Sequence, residues 1–435
     1  MAVRFLKKAR KTAATDETAT RENVIRILGD IEQHREASAR AYSRQLDKYE
    51  GEILVDSKTI ARASDEVPER LKQDIRFAYN RVRAFAELQK ASLREFEAEL
   101  APGLWAGQKL IPIETAGCYV PGGRYTHIAS AIMSITTAKV AGVANVIASS
   151  SPRGPNGIHP AVLYTMDFCG ADQILCLGGV QGVAALAFGL FTGKPARIVV
   201  GPGNRFVAEA KRILYGRIGI DLFAGPTEIL IIADATTDAN MVAQDLVGQA
   251  EHGPDSPAWL VTTSENVALQ AMARVPELIA SLPEMQRVAA TAAWDDYGEV
   301  AVCDSREEAA QLSDNYAPEH LELQTVDNPW FVQNLRSYGS LFIGEQATVA
   351  FGDKCSGTNH ILPTKGAAHY TGGLSVHKFL KIVTTQRMTA EACRDVAPVT
   401  ARISRLEGME AHARTADARL RKYFADSRRG ASENL

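Results

Sequence analysis

Hydrophobic and polar positions follow two different rhythms along the chain. Over residues 22–45 and 65–99 apolar side chains recur every three or four positions among charged ones, the stripe of long amphipathic helices with one face on a core. Ser64 and Asp65, with Pro68 close behind, read as a helix start. Past Ile111 the rhythm changes to short apolar runs that alternate with helical segments. A strand is expected from Ile111 into the glycine turn at Gly122-Gly123, with others at 146–148, 173–177 and 197–200. Helices are expected over 128–141, after the Pro/Gly loop 152–160, and over 181–190 and 206–215. The alternation resumes with strands at 229–233, 259–262, 300–303 and 340–343 and helices at 238–252 and 265–281. From about Thr389 the chain is helical, polar and rich in Ala and Arg, ending in a loose tail over 427–435. Such alternation specifies an α/β fold of parallel sheets with helices on both faces. Two α/β units of similar size follow one another, each needing the other or the N-terminal helices to cover its sheet.

Composition narrows the class without choosing a function. With 435 residues, 46% hydrophobic and 23% charged, the chain has room for two or three ordinary globular domains. Its 48 basic and 51 acidic residues leave a formal charge of −3, which gives no general attraction to nucleic acid or to an anionic membrane. No apolar run approaches the length of about 18 residues that a membrane span needs. The basic start Met1-Ala-Val-Arg-Phe-Leu-Lys-Lys lacks the apolar core of a signal peptide. Six scattered cysteines without a Cys-x-x-Cys pair suit a reducing, cytoplasmic setting and argue against a disulfide framework or a cysteine zinc site.

Candidate chemistry gathers in four polar stretches. Gln249-Ala-Glu-His252 closes the helix expected between its N-cap Asp238 and the breaker Gly253-Pro254. A separation of three places Gln249 and His252 over one surface spot. A carboxamide oxygen and an imidazole there could share a metal ion, but a site needs three or four ligands, and a helix-end His can equally be a solvated one. Pro318-Glu-His-Leu321 joins a helix to a strand, so Glu319 and His320 can offer one cleft a carboxylate that orients water and a proton acceptor near pH 7. Gly352-Asp-Lys-Cys-Ser-Gly-Thr-Asn-His360 carries an oxygen ligand at Asp353 and a second imidazole at His360, on residue types that also simply form turns. Glu407-Gly-Met-Glu-Ala-His412 lies in the helical tail; if His412 is a ligand, the tail must reach a cleft built elsewhere, including one on a partner subunit.

Glycine turns stand at three strand-to-helix junctions, Gly122-Gly123, Gly178-Gly179 and Gly201-Pro-Gly-Asn204. Free backbone N–H groups and the helix dipole favour an anion at such places, and three of them fit a pyrophosphate laid across the strand ends. Glycine also serves left-handed turns generally, and the third glycine of the dinucleotide fingerprint is missing.

Taken in order, Tyr119-Val-Pro-Gly-Gly, Gly179-x-Gln181, Gly201-Pro-Gly-Asn, Gly225-Pro-Thr-Glu, Gln249-Ala-Glu-His, Pro318-Glu-His-Leu, Gly352-Asp and Ser356-Gly-Thr-Asn-His resemble the histidinol dehydrogenase family over about residues 20–415. The resemblance implies a zinc- and NAD-dependent enzyme that oxidises a primary alcohol through an aldehyde to a carboxylate, using two NAD. It implies zinc on Gln249, His252, Asp353 and His412, the last offered by the other protomer of a domain-swapped homodimer. His320 would take the alcohol proton and Glu319 would activate water. NAD would contact Tyr119, Gln181 and Asn204. The substrate would meet Thr227, His360 and Glu407 beside the zinc ligands and Glu319. The implied layout is an N-terminal arm (1–20), a first Rossmann-like domain (21–117 with 228–373), a second, NAD-binding one (118–227), and an exchanged helical tail (374–435).

Some positions depart from the histidinol pattern, which has Tyr where Lys354 stands, usually Ser at Thr227, and no counterpart of Arg124-Tyr125. Cys118-Tyr-Val-Pro-Gly-Gly-Arg-Tyr, Asp221-Leu-Phe-Ala-Gly-Pro-Thr and Phe351-Gly-Asp-Lys look more like the sulfopropanediol dehydrogenase branch, which oxidises 2,3-dihydroxypropane-1-sulfonate to sulfolactate. Charge agrees. A cation at Lys354 would repel the amine of histidinol and attract a sulfonate by about 1–3 kcal/mol, as a charge-assisted hydrogen bond. Pro318-Glu-His-Leu-Glu-Leu and Glu407 look like the histidinol type, so histidinol stays as the alternative alcohol. A non-catalytic metal or nucleotide binder is the alternative of another class, and an intact Glu319-His320 pair argues against it.

Overall fold

The computed structural model describes residues 3–11, 17–122, 125–223 and 225–424, so Gly123, Arg124 and the tail 427–435 lie outside the described residues. The chain divides into two compact units, residues 1–91 with 112–379 and residues 92–111 with 380–435.

The first unit opens with β1 (Arg4–Lys7), α1 (Glu17–Tyr42), α2 (Ser57–Glu66) and α3 (Glu69–Ala91). α1 is interrupted at Arg35, whose φ of 55° and ψ of −132° are not helical. Ser64 is not a helix start: α2 is capped by Asp56, whose side chain accepts from the Thr59 N–H. It stops at Val67 because a residue before proline is pushed out of the helical region.

Residues 96–99, expected as the end of a long helix over 65–99, instead belong to a strand of the second unit. Phe-Glu-Ala-Glu-Leu alternates apolar and acidic, and this period of two prevails. β2 (Phe96–Ala101) pairs antiparallel with β3 (Leu104–Pro112).

Back in the first unit, β4 (Thr115–Val120), α4 (Ile128–Ala141), β5 (Asn145–Ser150), α5 (Pro160–Phe168), β6 (Gln173–Cys176), α6 (Gly179–Phe188), β7 (Ile198–Val200), α7 (Arg205–Leu214) and β8 (Gly219–Ile220) follow in turn. Their strands make a parallel sheet of order β6-β5-β4-β7-β8. The order reverses between β4 and β7, the point where open α/β sheets leave a crevice at the carboxyl ends of the strands. Val24, Ile27 and Ile31 of α1 share one core with Val183 and Leu186 of α6 and Val207 of α7, so the N-terminal helix covers this sheet.

The second sheet uses β9 (Ile229–Ala233), α8 (Ala239–Ala250), β10 (Ala258–Thr262), α9 (Glu265–Ala280), α10 (Glu284–Tyr297), β11 (Glu299–Val302), α11 (Arg306–Tyr316), β12 (His320–Gln324), α12 (Asn328–Asn334), β13 (Ser340–Ile343) and α13 (Val349–Lys354). Its order is β1-β11-β10-β9-β12-β13, parallel except for β1. The expected N-terminal arm thus contributes a strand, which covers the otherwise open edge of β11. Along β9, Ile229, Ile231 and Ala233 pack with α8, α9 and α10, while Leu230 and Ile232 pack with α11 and α12. A central parallel strand is buried on both faces in this way.

The second unit is completed by β14 (Leu380–Met388), α14 (Cys393–Leu406) and α15 (Glu410–Phe424). β14 pairs with β3, so the tail expected to be helical from 374 enters as a strand, favoured by the β-branched run Ile382-Val-Thr-Thr385. α14 and α15 close on Ala397, Ala401, Ala413 and Ala416. No helix among the described residues is long and apolar enough to cross a membrane.

Candidate active site

Most of the polar stretches singled out in the sequence meet within the first unit, at the amino ends of β9 and β12. Thr227 and Glu228 lead into β9, and β12 starts at His320 itself, after Ala317 has turned the chain with a φ of 46°. α8 runs back toward the same edge, capped at its start by Asp238 as expected, and delivers Gln249 at its end. His252 lies just past this helix rather than on it. Its N–H still bonds the Gln249 carbonyl at 3.2 Å, which preserves the three-residue approach of the two side chains. α13 ends with Asp353 and Lys354, and the loop after it brings His360.

A chain of hydrogen bonds links these groups. Gln249 Nε2 donates to Thr227 Oγ1 (2.6 Å), which donates to Glu319 Oε2 (2.5 Å), and that oxygen also accepts from Glu228 N (2.9 Å). His320 Nδ1 lies 2.9 Å from the Glu228 carbonyl oxygen. A carbonyl can only accept, so Nδ1 carries a proton and the lone pair of the neutral ring sits on Nε2. Nε2 is buried and has no hydrogen-bond partner. Asp353 Oδ1 stands 3.7 Å from it, too far for a hydrogen bond. The other Asp353 oxygen is 3.9 Å from His252 Nε2 and 3.7 Å from Lys354 Nζ. His360 donates from Nδ1 to the Asp353 carbonyl (2.9 Å) and its Nε2 accepts from Ser130 Oγ of α4 (3.1 Å).

Electrostatics set these groups apart from one another. Burial raises the Glu319 carboxyl, partly offset by His320 and by its hydrogen bond from Thr227. Burial works against a charged His320, but the carboxylates of Glu319 and Asp353 outweigh it and hold the ring above its ordinary value. Asp353 stays below the usual carboxylate range: burial opposes this, while His320, His360 and Lys354 more than compensate. Burial lowers His252 against the pull of Asp353, although 35% of its side chain is open to solvent. Burial also pushes Glu228 up to about 8, with Glu319 adding to the effect.

Among the described residues no group of three or more His, Cys, Asp and Glu is gathered to hold a metal ion. His252 and Asp353 make two, and Gln249 adds a carboxamide whose nitrogen is already turned to Thr227, leaving its oxygen as the donor. A neutral imidazole, an ionised carboxylate and a carboxamide oxygen suit zinc, and a closed tetrahedral site needs one donor more. Glu407 and His412 belong to the second unit, Glu407 at the end of α14 and His412 on α15, both exposed.

At the carboxyl ends of the five-stranded sheet, Tyr119 is buried and its hydroxyl oxygen accepts from Gly179 N (3.0 Å). Gln181 donates from Nε2 to Asp47 Oδ2 (2.9 Å), which also accepts from Gly178 N (3.3 Å). Gly201 N donates to Asp221 Oδ2 (2.7 Å), and a buried Lys211 pairs with Asp221 Oδ1 at 2.5 Å. Asn204 caps α7 through its side-chain oxygen. The N–H groups of Gly178 and Gly201 are therefore taken by the chain's own carboxylates, and that of Gly179 by the Tyr119 hydroxyl. Gly201 is required here: with φ of 119°, a Cβ would lie 2.0 Å from the Tyr119 carbonyl oxygen. Asp47 and Ser130 escaped the sequence reading, since each meets its partner across more than a hundred residues, and Asp221, quoted there only as part of a motif, was not read as the partner of Lys211 and Gly201. Glu228 stood inside a motif already singled out and could have been included.

The histidinol dehydrogenase family model matches residues 10–420. The chain belongs to the histidinol dehydrogenase family. It is 60% identical over 424 residues to a histidinol dehydrogenase homologue of Pelagibacter ubique, covering 97% of this chain and 99% of that one. It is 56% identical over 426 residues to sulfopropanediol 3-dehydrogenase of Ruegeria pomeroyi, covering 98% of each. Histidinol dehydrogenase from Elizabethkingia anophelis has the same fold, with a TM-score of 0.88 at 33% identity over 95% of this chain and 94% of that one. As a member of the histidinol dehydrogenase family the chain is an oxidoreductase of the NAD-dependent dehydrogenase type, in a family that binds zinc.

Proposed function

We propose that the chain is a zinc- and NAD-dependent dehydrogenase that carries a primary alcohol through a bound aldehyde to the carboxylate, with dihydroxypropanesulfonate favoured over histidinol. The observation that carries this reading is the buried Glu319–His320 couple, with an unpartnered His320 Nε2 beside Asp353. Zinc on Gln249, His252, Asp353 and the His412 of an exchanged tail in a homodimer would grip the alcohol oxygen and ease removal of its proton. Exposure of Glu407 and His412 in the single chain supports a tail that completes a site on a second copy. The crevice of the five-stranded, Rossmann-like body would take NAD, with Tyr119, Gln181 and Asn204 at its rim.

His320 accepts the alcohol proton at Nε2, because its Nδ1–H is committed to the Glu228 carbonyl. The carboxylates of Glu319 and Asp353 favour the protonated ring, and a cation held by Asp353 would weaken that pull and favour the free base. Hydride leaves the carbinol carbon for nicotinamide. Glu319, lifted by burial and oriented by Thr227, then takes a proton from the water that adds to the aldehyde. A second hydride transfer yields the carboxylate, and retention of the aldehyde keeps it from bulk solvent. Thr227, His360, Glu407 and Lys354 line the substrate. Lys354 supports the sulfonate: its side chain is 62% exposed, with its ammonium beside Asp353, where an anionic headgroup gains and an amine is repelled. The likeness to sulfopropanediol 3-dehydrogenase points the same way.

A parallel NADH assay with dihydroxypropanesulfonate and histidinol tests this. Two NADH per alcohol are expected with the sulfonate, abolished by a chelator and restored by zinc. One NADH per alcohol, or full turnover after metal removal, would refute the chemistry, and faster turnover of histidinol would reassign the alcohol.

A further inference from the structure

A second acidic cluster lies behind the site. Glu322, on β12 two residues beyond His320, is 0% exposed, and Asp245, on α8 one turn before Gln249, is half-buried. One amide group serves both: Gln324 Nε2 donates to Asp245 Oδ2 (3.0 Å) and to Glu322 Oε2 (3.3 Å). The remaining oxygens hold the start of α13. Thr348 Oγ1 donates to Asp245 Oδ1 (3.0 Å), and Val349 N donates to Glu322 Oε1 (2.9 Å). The groups that face the two carboxyls are thus Gln324, Thr348 and the Val349 N–H, with Glu345 adding further negative charge and no cation among them. Two carboxyls that share one donor in such a place cannot both ionise cheaply, so one keeps a proton and donates it to the other.

We propose that Asp245 and Glu322 share one proton and act as a positioning pair, fixing the start of α13, and with it Asp353, to the α8 that carries Gln249 and leads to His252. The link to metal rests on reading those three residues as zinc ligands, whereas the shared proton rests on the contacts of the two carboxyls with Gln324 and with each other and needs no metal. Burial and the Asp245 charge push Glu322 up to about 8, and burial raises Asp245 as well. The folded chain therefore holds a proton that the unfolded chain releases near 4.5. The stabilisation is complete below that value and is lost as pH rises to about 8. Above it both carboxylates are charged, and the contact between α8 and α13 loosens.

The test uses the full-length, zinc-loaded protein as wild type, Glu322→Gln, Glu322→Ala and Asp245→Asn. Two quantities are followed from about pH 6 to about pH 9.5: the melting temperature, and the rate of zinc transfer to a chelating dye. Relative to Glu322→Gln, which mimics the protonated carboxyl, wild type is expected to lose melting temperature up to about pH 8 and then level off. Zinc leaves wild type about tenfold faster above that pH than at neutrality, the scale of a lost outer-shell contact. Glu322→Gln and Asp245→Asn show neither change, and Glu322→Ala releases zinc fast at every pH. An alkaline change in Glu322→Gln as large as in wild type, or wild-type zinc retention in Glu322→Ala, overturns the proposal. Should wild type hold no zinc at any pH, the zinc reading fails, and the melting-temperature difference between wild type and Glu322→Gln still decides the shared proton.

Discussion

The two polar edges of the first unit differ in what they leave open. At the carboxyl ends of the five-stranded sheet the Gly178, Gly179 and Gly201 N–H groups are bonded to the chain's own side chains, and Gln181 Oε1 is the buried acceptor left without a partner. Asp47 answers Gly178 and Gln181, Asp221 answers Gly201 and Lys211, and Tyr119 answers Gly179. At the amino ends of β9 and β12, His320 Nε2 is buried without a partner, and the Asp353 carboxylate has the His252 and His320 rings near it, neither within hydrogen-bond distance. A satisfied turn is rigid and selects shape, whereas an open lone pair in a buried place is ready for a proton, a metal or a substrate atom. The comparison teaches that glycine turns alone do not mark an anion site. What matters is whether their N–H groups are already bonded.

The contrast can be broken at its reactive side first. His320→Ala should lower kcat by about a hundred- to ten-thousand-fold, the usual worth of a general base, with NAD affinity unchanged in a fluorescence titration. A change confined to KM would mean that the ring only binds. On the closed side, Lys211→Met leaves Asp221 buried without its cation and should cost about 3–5 kcal/mol of stability, read from denaturant unfolding. A loss near zero would show that the Gly201 turn does not depend on the pair. Asp47→Asn keeps the shape but weakens the hold on Gln181. An increase of about tenfold in KM for NAD with kcat unchanged is expected, on the scale of one charge-assisted hydrogen bond, and an unchanged KM would leave Gln181 independent of Asp47. The smallest effect belongs to Lys354→Ala. Its exposure screens the charge, so the KM for dihydroxypropanesulfonate should rise only about three- to tenfold, while that for histidinol should not rise. Equal changes for both alcohols would remove Lys354 from the choice of substrate.

Much of the fold was legible because burial repeats locally. The helix expected over 128–141 is α4 to the residue, and the strands expected at 229–233 and 340–343 are β9 and β13. Each is an apolar run bounded by turn residues, so neighbours along the chain fix its period. The misreadings are of another kind. Residues 96–101 carry a pattern that suits a short helix or an alternating strand, and only pairing with β3 decides between them. β14 depends on the same distant partner. Gln249, His252, Glu319, His320 and Asp353 could be nominated from their chemistry, but nothing local says that Thr227 bridges Gln249 to Glu319, or which nitrogen of His320 is left free.

By itself, then, the sequence determined the alternation of strands and helices, the residues able to hold metal or move protons, and membership of the family. Hydrophobic period and residue type are written over a few consecutive positions. The tertiary structure alone decided that Asp47 closes the Gly178 turn 131 residues away, that the reactive groups gather at strand amino ends, and that Asp245 and Glu322 meet under α13. Those facts depend on where remote backbones cross, and hydrogen bonds reach only about 3 Å, so no pattern along the chain can encode them.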